Sequence, residues 1–91
     1  MRTRPEDRYE DVGVPRCPRI AHVAMAVKSR AAALLEEDGG ETPGVSSRAE
    51  DAISWADGAL IGAETGRCAY ARVHLKAALR YWRAARRRAG R

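Results

Sequence analysis

The sequence contains no phenylalanine, no asparagine and no glutamine, and only two of its 17 cationic residues are lysines. Alanine and arginine, with 18 and 15 copies, supply more than a third of its 91 residues. Such a bias is typical of GC-rich codon usage, so the number of arginines alone indicates no function. Because alanine makes up much of the apolar content, the core must be thin and closely packed. From the length we expect one small domain and not a two-domain enzyme.

Cysteine is scarce as well, and long apolar runs are missing. Two cysteines are too few for a disulfide scaffold, and the longest apolar stretch, Ile20 to Val27, is interrupted by His22. No targeting segment is recognisable near the N-terminus. We therefore expect a cytoplasmic protein that does not span a membrane. Its two thiols should be reduced and structural, without a Cys17–Cys68 disulfide.

Motifs for metal binding and catalysis are also missing. Cys17, His22, Cys68 and His74 could gather at one end of a three-helix bundle, but the spacing within each pair separates its side chains by more than about 100° around a helix. The chain has no glycine-rich phosphate loop, no paired carboxylate cleft and no hydrolase elbow. We therefore expect a non-enzymatic protein with no metal and no cofactor.

Acidic residues are absent from the last 25 positions. Residues 67–91 carry nine cations and no acid, whereas residues 20–66 carry three cations and eight acids. Codon bias raises the total number of arginines but does not account for this separation of charge. The asymmetry is the strongest functional signal in the sequence, and it indicates an anionic partner for the C-terminal segment.

Helical periodicity begins at Pro18. Proline and glycine in the preceding segment predict a flexible N-terminal arm over residues 1–16, followed by a single helical domain over residues 17–91. Apolar residues then recur every three or four positions, which predicts a helix over 18–38. Gly39 supplies its left-handed cap.

A second helix is predicted from Ser47, which forms a capping box with Glu50. Its apolar positions are mostly alanine, so a neighbouring helix must approach closely to touch them. We expect a break at Thr65–Gly66 before a basic helix over 67–88, with one continuous bent helix over 47–88 as the alternative. The fold class is therefore all-α: a small bundle of about three helices, or a helical hairpin if the second and third are continuous.

The predicted third helix carries a stripe of five cations that occupies an arc of about 80° over about 22 Å of helix. We name it the basic stripe: Arg72, Lys76, Arg80, Arg83 and Arg87. Guanidinium groups bind phosphates with two parallel hydrogen bonds, so the stripe predicts contact with a nucleic-acid backbone, DNA or RNA, without sequence specificity. The candidate nucleic-acid-binding residues are the basic stripe together with Arg86 and Arg88.

A protein-interaction role is the alternative. Most of the remaining circumference of this helix is apolar, which exceeds what two other helices of one chain can cover. The pattern predicts a homo-oligomer, with a dimer as the simplest form, or a hetero-complex in which the basic stripe meets an acidic protein partner. Tyr70 and Tyr81 share one face and could also stack on bases if exposed. The candidate interface residues are Trp55, Gly58, Gly62, Tyr70, Tyr81 and Trp82.

Overall fold

Three antiparallel helices make up residues 17–90, the part of the chain that the computed structural model describes. Helix α1 spans Pro18–Asp38, α2 spans Val45–Glu64 and α3 spans Cys68–Arg88. Since these residues contain no strand, the predicted all-α bundle of three helices is confirmed. The predicted arm, residues 1–16, lies outside the described residues.

The residues at its two ends set the boundaries of α1. Pro18 occupies the first turn, where its missing N–H removes no intrahelical hydrogen bond. At the other end Gly39 has a left-handed φ of 58°, and its N–H donates to the carbonyl of Leu35. The predicted helix over 18–38 is confirmed.

The start of α2 differs from the prediction. The helix begins at Val45, before Ser47, and Gly44 with a φ of 85° precedes it. Val45 is fully buried, so packing anchors the first turn in the core. The Ser47 hydroxyl donates to the Gly44 carbonyl at 3.4 Å from inside the first turn, and no side chain caps the helix. The predicted capping box with Glu50 is therefore wrong.

Two separate helices follow the first loop. α2 ends in a Schellman motif, in which Gly66, at a φ of 77°, donates its N–H to Ala63 and Arg67 donates its N–H to Gly62. These bonds satisfy carbonyls that the last turn of a helix leaves without partners. The break predicted at Thr65–Gly66 is confirmed, and the alternative of one continuous helix is wrong.

Alanine fills the core. Ten alanines have no exposed surface, and those in α3 recur every seven residues. A seven-residue repeat places small side chains along the seam between two helices, so their backbones approach closely. Val27, Leu34 and Val45 are the larger residues buried with them. The thin, closely packed core predicted from the composition is confirmed. The ten alanines are Ala24, Ala31, Ala49, Ala52, Ala56, Ala59, Ala63, Ala71, Ala78 and Ala85.

A disulfide joins Cys17 to Cys68, so the expectation of two reduced thiols is wrong. The two cysteines stand at the starts of α1 and α3, which the antiparallel topology brings to the same end of the bundle. Their Cα atoms are 5.9 Å apart, within the usual range for disulfides. The bond spans 51 positions of sequence and ties together the two helices that share the smallest contact.

Asp38 fixes the loop between α1 and α2. The hydroxyl and the backbone N–H of Thr42 donate to its carboxylate, the N–H at 3.0 Å, and they hold the pKa of this carboxyl below its usual value. Because the carboxylate is the bonded form, its contribution to stability is present at neutral pH and is lost as the pH falls through the lowered pKa. The loop brings Gly44 beside the end of α3.

Gly62 marks a close approach of α2 and α3. A Cβ at this position would lie 2.8 Å from Cδ2 of Tyr70 and 3.1 Å from Cα of Ala71. We therefore expect Gly62→Ala to lower the free energy of unfolding by about 1–2 kcal/mol, even though alanine favours a helix by about 1 kcal/mol over glycine. Urea unfolding measures the difference. A stabilised variant would show that helix propensity, and not the helix contact, decides the outcome.

Candidate nucleic-acid interface

The basic stripe of α3 faces solvent. Ala71, Ala78 and Ala85 point from this helix into the core. A helix advances about 100° per residue, which places the stripe on the side opposite these alanines. All five stripe residues are exposed. The fold therefore presents the cations as one continuous outer surface.

Within the described residues, the cations of the basic stripe are not paired with a carboxylate. Over residues 17–90 no salt bridge joins a stripe residue to an acidic side chain, whereas Lys28 pairs with Asp57 at 2.8 Å between α1 and α2. α3 itself carries no acid, and the acids of the described chain belong to α1, α2 and the loop between them. The charge separation found in the sequence thus persists in the folded chain.

A shallow groove lies within the basic stripe. Its volume is about 420 Å³, and it is lined by Lys76, Leu79, Arg80, Arg83 and Arg87. Leu79 is half-buried and supplies an apolar surface between the long side chains of the cations. Such a groove suits a sugar-phosphate backbone, which presents anionic oxygens beside apolar sugar carbons.

Arg86 and Arg88, the other two predicted contact residues, lie on the flanks of α3. The Arg86 guanidinium lies over the Trp82 ring, 5.7 Å from its centroid, on the side of α1. Arg88 extends to the opposite flank, where a Cβ at Gly44 would lie 3.0 Å from its Nη1. Both arginines are exposed, so they widen the positive surface at the end of the helix.

Arg48 joins this surface from α2, and it is not among the residues predicted from the sequence. It lines a pocket of about 400 Å³ together with Ala84, Arg87 and Arg88. Its Nη1 donates to the carbonyl of Gly44 at 3.2 Å. The short turn predicted at Thr65–Gly66 is the sequence signal that could have identified it. Such a turn makes α2 and α3 antiparallel, which brings the start of one helix to the end of the other.

Contacts within the chain engage the aromatic residues that could have stacked on bases. Tyr70 packs against His74 with ring centroids 4.0 Å apart, and the Arg67 guanidinium lies 4.7 Å from the Tyr70 centroid. His74 also contacts the Trp55 ring at 5.1 Å, and its Nδ1 donates to the Tyr70 carbonyl at 3.0 Å. Tyr81 is half-buried. These rings stabilise the contact between α2 and α3.

The residues of the predicted protein interface also make contacts inside the chain. Gly58 and Gly62 face α3, where an added Cβ would lie 2.5 Å from the His74 ring and 2.8 Å from the Tyr70 ring. Trp82 is half-buried and lines a groove together with residues of α1. Their contact with a second chain stays a prediction.

Several large apolar side chains are exposed nevertheless. Ile61 and Val73 are 60% and 63% exposed, and Tyr70 is 40% exposed, all three near the turn between α2 and α3. Met25 on α1 is 53% exposed. Only Tyr70 among them is predicted from the sequence, because helical periodicity does not show which apolar side of a helix its neighbours cover. We name Ile61, Tyr70 and Val73 the apolar patch.

The four potential metal ligands do not come together. Cys17 and Cys68 are bonded to each other, and His74 packs between aromatic rings. His22 is exposed on α1. Within the described part of the chain, no group of three or more His, Cys, Asp or Glu side chains is arranged to hold a metal ion.

Among the helices of residues 17–90, none combines the length and the apolar composition that a membrane span needs.

Comparison with protein-family models, curated proteins and solved structures finds no match to this chain. A functional proposal therefore depends on the surface of α3 and on the residues around it.

Proposed function

We propose that the protein binds nucleic acid through the sugar-phosphate backbone, with the outer face of α3 as the contact surface and without sequence specificity. The basic stripe carries this proposal. It presents five exposed cations on one face of a helix, and no acidic side chain of residues 17–90 is paired with them. The role is one of binding, and it requires no catalytic step.

The dimensions of the stripe suit a nucleic-acid backbone. Arg72 to Arg87 span about 22 Å of helix at a rise of about 1.5 Å per residue. Duplex DNA carries about one negative charge per 1.7 Å of its axis, so several phosphates lie within reach of the stripe at once. Arginine supplies four of the five stripe cations, and its planar fork binds two phosphate oxygens in parallel.

The side chains available favour binding that does not depend on base sequence. The chain contains no asparagine or glutamine, the residues that recognise adenine with two hydrogen bonds in the major groove. α3 packs extensively against α2, so its outer face is the part that approaches a strand. Contacts to phosphate from that face position the protein but carry no sequence information.

Purification with and without nuclease tests the proposal directly. We expect protein isolated at low salt to carry nucleic acid, detected by its ultraviolet absorbance, and to lose it after nuclease treatment or in high salt. The stripped protein should then bind labelled duplex and labelled single strands in low salt. Protein that binds neither form at low salt contradicts the proposal.

A protein-interaction role is the second candidate, and the apolar patch favours it. Ile61, Tyr70 and Val73 expose apolar surface near the α2–α3 turn. Large apolar side chains exposed near one turn favour an interface there. In this role the chain forms a homo-oligomer or a hetero-complex, and the basic stripe meets acidic side chains of a partner protein.

Replacing both Ile61 and Val73 by serine tests the homo-oligomer form of the second candidate. Because both side chains are largely exposed, the double variant should keep its free energy of unfolding within about 1 kcal/mol. If the patch is an interface, sedimentation should show an oligomer for the unchanged protein and a monomer for the variant, with nucleic-acid binding retained. An unchanged protein that is monomeric at all accessible concentrations contradicts self-association.

The cytoplasm stays a proposed location. The Cys17–Cys68 disulfide weighs against it, because glutathione and thioredoxin keep most cytosolic thiols reduced. Alkylation of free thiols before cell lysis, followed by mass measurement, decides the question. Two alkylated cysteines per chain would support the cytoplasm. A chain without alkylated cysteines would support an oxidising compartment.

A further inference from the structure

The pocket between the start of α2 and the end of α3 gathers three arginines. Arg48, Arg87 and Arg88 line it together with Ala84. A Cβ at Gly44 would lie 2.8 Å from Nη1 of Arg48 and 3.0 Å from Nη1 of Arg88. The two guanidinium groups therefore converge on one point of the backbone.

Gly44 permits this convergence. Its φ of 85° lies in the left-handed region that favours glycine, and the absence of a Cβ leaves the space that the two guanidinium groups approach. Arg48 is half-buried, and the bond from its Nη1 to the Gly44 carbonyl fixes its position. A guanidinium has five N–H donors, so Arg48 retains donors for a further partner.

Positive charges gathered in this way repel one another, and the charge of the half-buried Arg48 is the least screened by water. Arginine does not relieve it by losing a proton at neutral pH. Across residues 17–90, no carboxylate forms a salt bridge with Arg48, Arg87 or Arg88. An anion bound among the three guanidinium groups would remove the repulsion, and the cluster therefore has the charge of an anion site.

We infer that this pocket binds a phosphate monoester. A phosphate monoester carries nearly two negative charges at neutral pH and offers three strong acceptor oxygens, whereas a backbone phosphodiester carries one charge. Three guanidinium groups are enough to neutralise that charge and to donate to all three oxygens. The pocket, about 400 Å³ in volume, accommodates the phosphate group. Free inorganic phosphate and the terminal phosphate of a nucleic-acid strand present the same chemistry.

A terminal phosphate connects the pocket to the basic stripe. Arg87 lines both the pocket and the groove of the stripe, so a strand that follows the stripe meets the pocket at one end. This strand-end form of the inference rests on the proposed function. The phosphate site itself does not, because Arg48 and Arg88 lie outside the stripe.

Three labelled single strands of one base sequence test the strand-end form: one with a 5′ phosphate, one with a 3′ phosphate and one with neither. We expect the unchanged protein to bind one phosphorylated strand about tenfold more tightly than the strand without a terminal phosphate, the worth of about one charge-assisted hydrogen bond. Arg48→Ala should abolish this preference. Arg72→Ala removes the same charge at the far end of the stripe, so it should weaken all three strands and keep the preference.

Inorganic phosphate tests the site without nucleic acid. In a titration followed by NMR, the side-chain N–H signals of Arg48, Arg87 and Arg88 should shift together and saturate, while those of Arg72 stay in place. Arg48→Lys keeps the charge but loses the planar fork, and it should bind phosphate more weakly. This variant also keeps the test decisive if Arg48→Ala does not fold.

The outcomes separate the site from the proposed function. Saturable shifts without a preference for phosphorylated strands support the site and assign free phosphate as its ligand. Saturable shifts without any binding of strands support the site and contradict the proposed nucleic-acid role. The absence of both saturable shifts and strand preference overturns the inference, whether or not strands bind to the stripe.

Discussion

Reduction of the Cys17–Cys68 disulfide should lower the free energy of unfolding by about 4 kcal/mol. The bond closes a loop across 51 positions, and chain entropy for a loop of that length accounts for about 4 kcal/mol at room temperature. A small domain with a core made largely of alanine has few other contacts to compensate for the loss. The midpoint of thermal unfolding should therefore fall by about 15–30 °C.

Urea and thermal unfolding, followed by circular dichroism with and without a phosphine reductant, measure this effect. The double variant Cys17→Ser with Cys68→Ser is the control, because it should unfold like the reduced protein and should not respond to reductant. A second comparison, Cys17→Ser alone, keeps the other thiol and should match the double variant closely. If oxidised and reduced protein unfold at the same urea concentration, the bond does not constrain the bundle.

Reduction of the disulfide should destabilise the three helices to different extents. α1 packs mainly on α2 and shares little contact with α3, so the disulfide is its principal tie to that helix. We expect hydrogen exchange in the reduced protein to rise first in α1, while the α2–α3 pair retains more of its protection. Because the basic stripe lies on α3, reduction of the disulfide should change the geometry of the stripe less than it changes the stability of the domain.

Local signals in the sequence are sufficient to predict the helices. Pro18 and Gly39 mark the ends of α1. Proline suits the first turn of a helix, and glycine adopts the left-handed conformation that ends one. The left-handed φ of Gly66 likewise separates α2 from α3. The start of α2 is the exception, since a capping box at Ser47 is a local preference and the burial of Val45 is a tertiary contact that outweighs it.

Contacts between helices are what sequence patterns do not reveal here. The disulfide depends on which helix ends meet, and the role of Arg48 depends on the pairing of α2 with the end of α3. The stripe itself is predictable because it belongs to one helix and repeats with helical spacing. Sequence patterns likewise do not show which helix lies beside a glycine. Gly58 and Gly62 are therefore predicted to contact another chain, although side chains of α3 lie against them.

Binding to nucleic acid should weaken steeply with salt. Each phosphate that pairs with a cation contributes about −0.9 to the slope of log affinity against log salt on duplex DNA, so four or five contacts from the stripe give a slope of about −4. Raising the salt from about 50 to about 200 mM should then reduce the affinity about 250-fold. Fluorescence anisotropy of a labelled duplex at several salt concentrations measures this slope.

Two double variants with equal loss of charge decide whether the stripe is responsible. Arg80→Ala with Arg83→Ala should make the slope less steep by about two units while the fold is retained, because both side chains are exposed on the outer face of α3. Arg2→Ala with Arg4→Ala removes the same charge from the N-terminal segment and should change the slope less. If the two pairs weaken binding equally, net charge explains the affinity and the stripe is an ordinary solvated face. If the unchanged protein does not bind at low salt, the protein-interaction role becomes the better account of the same cations.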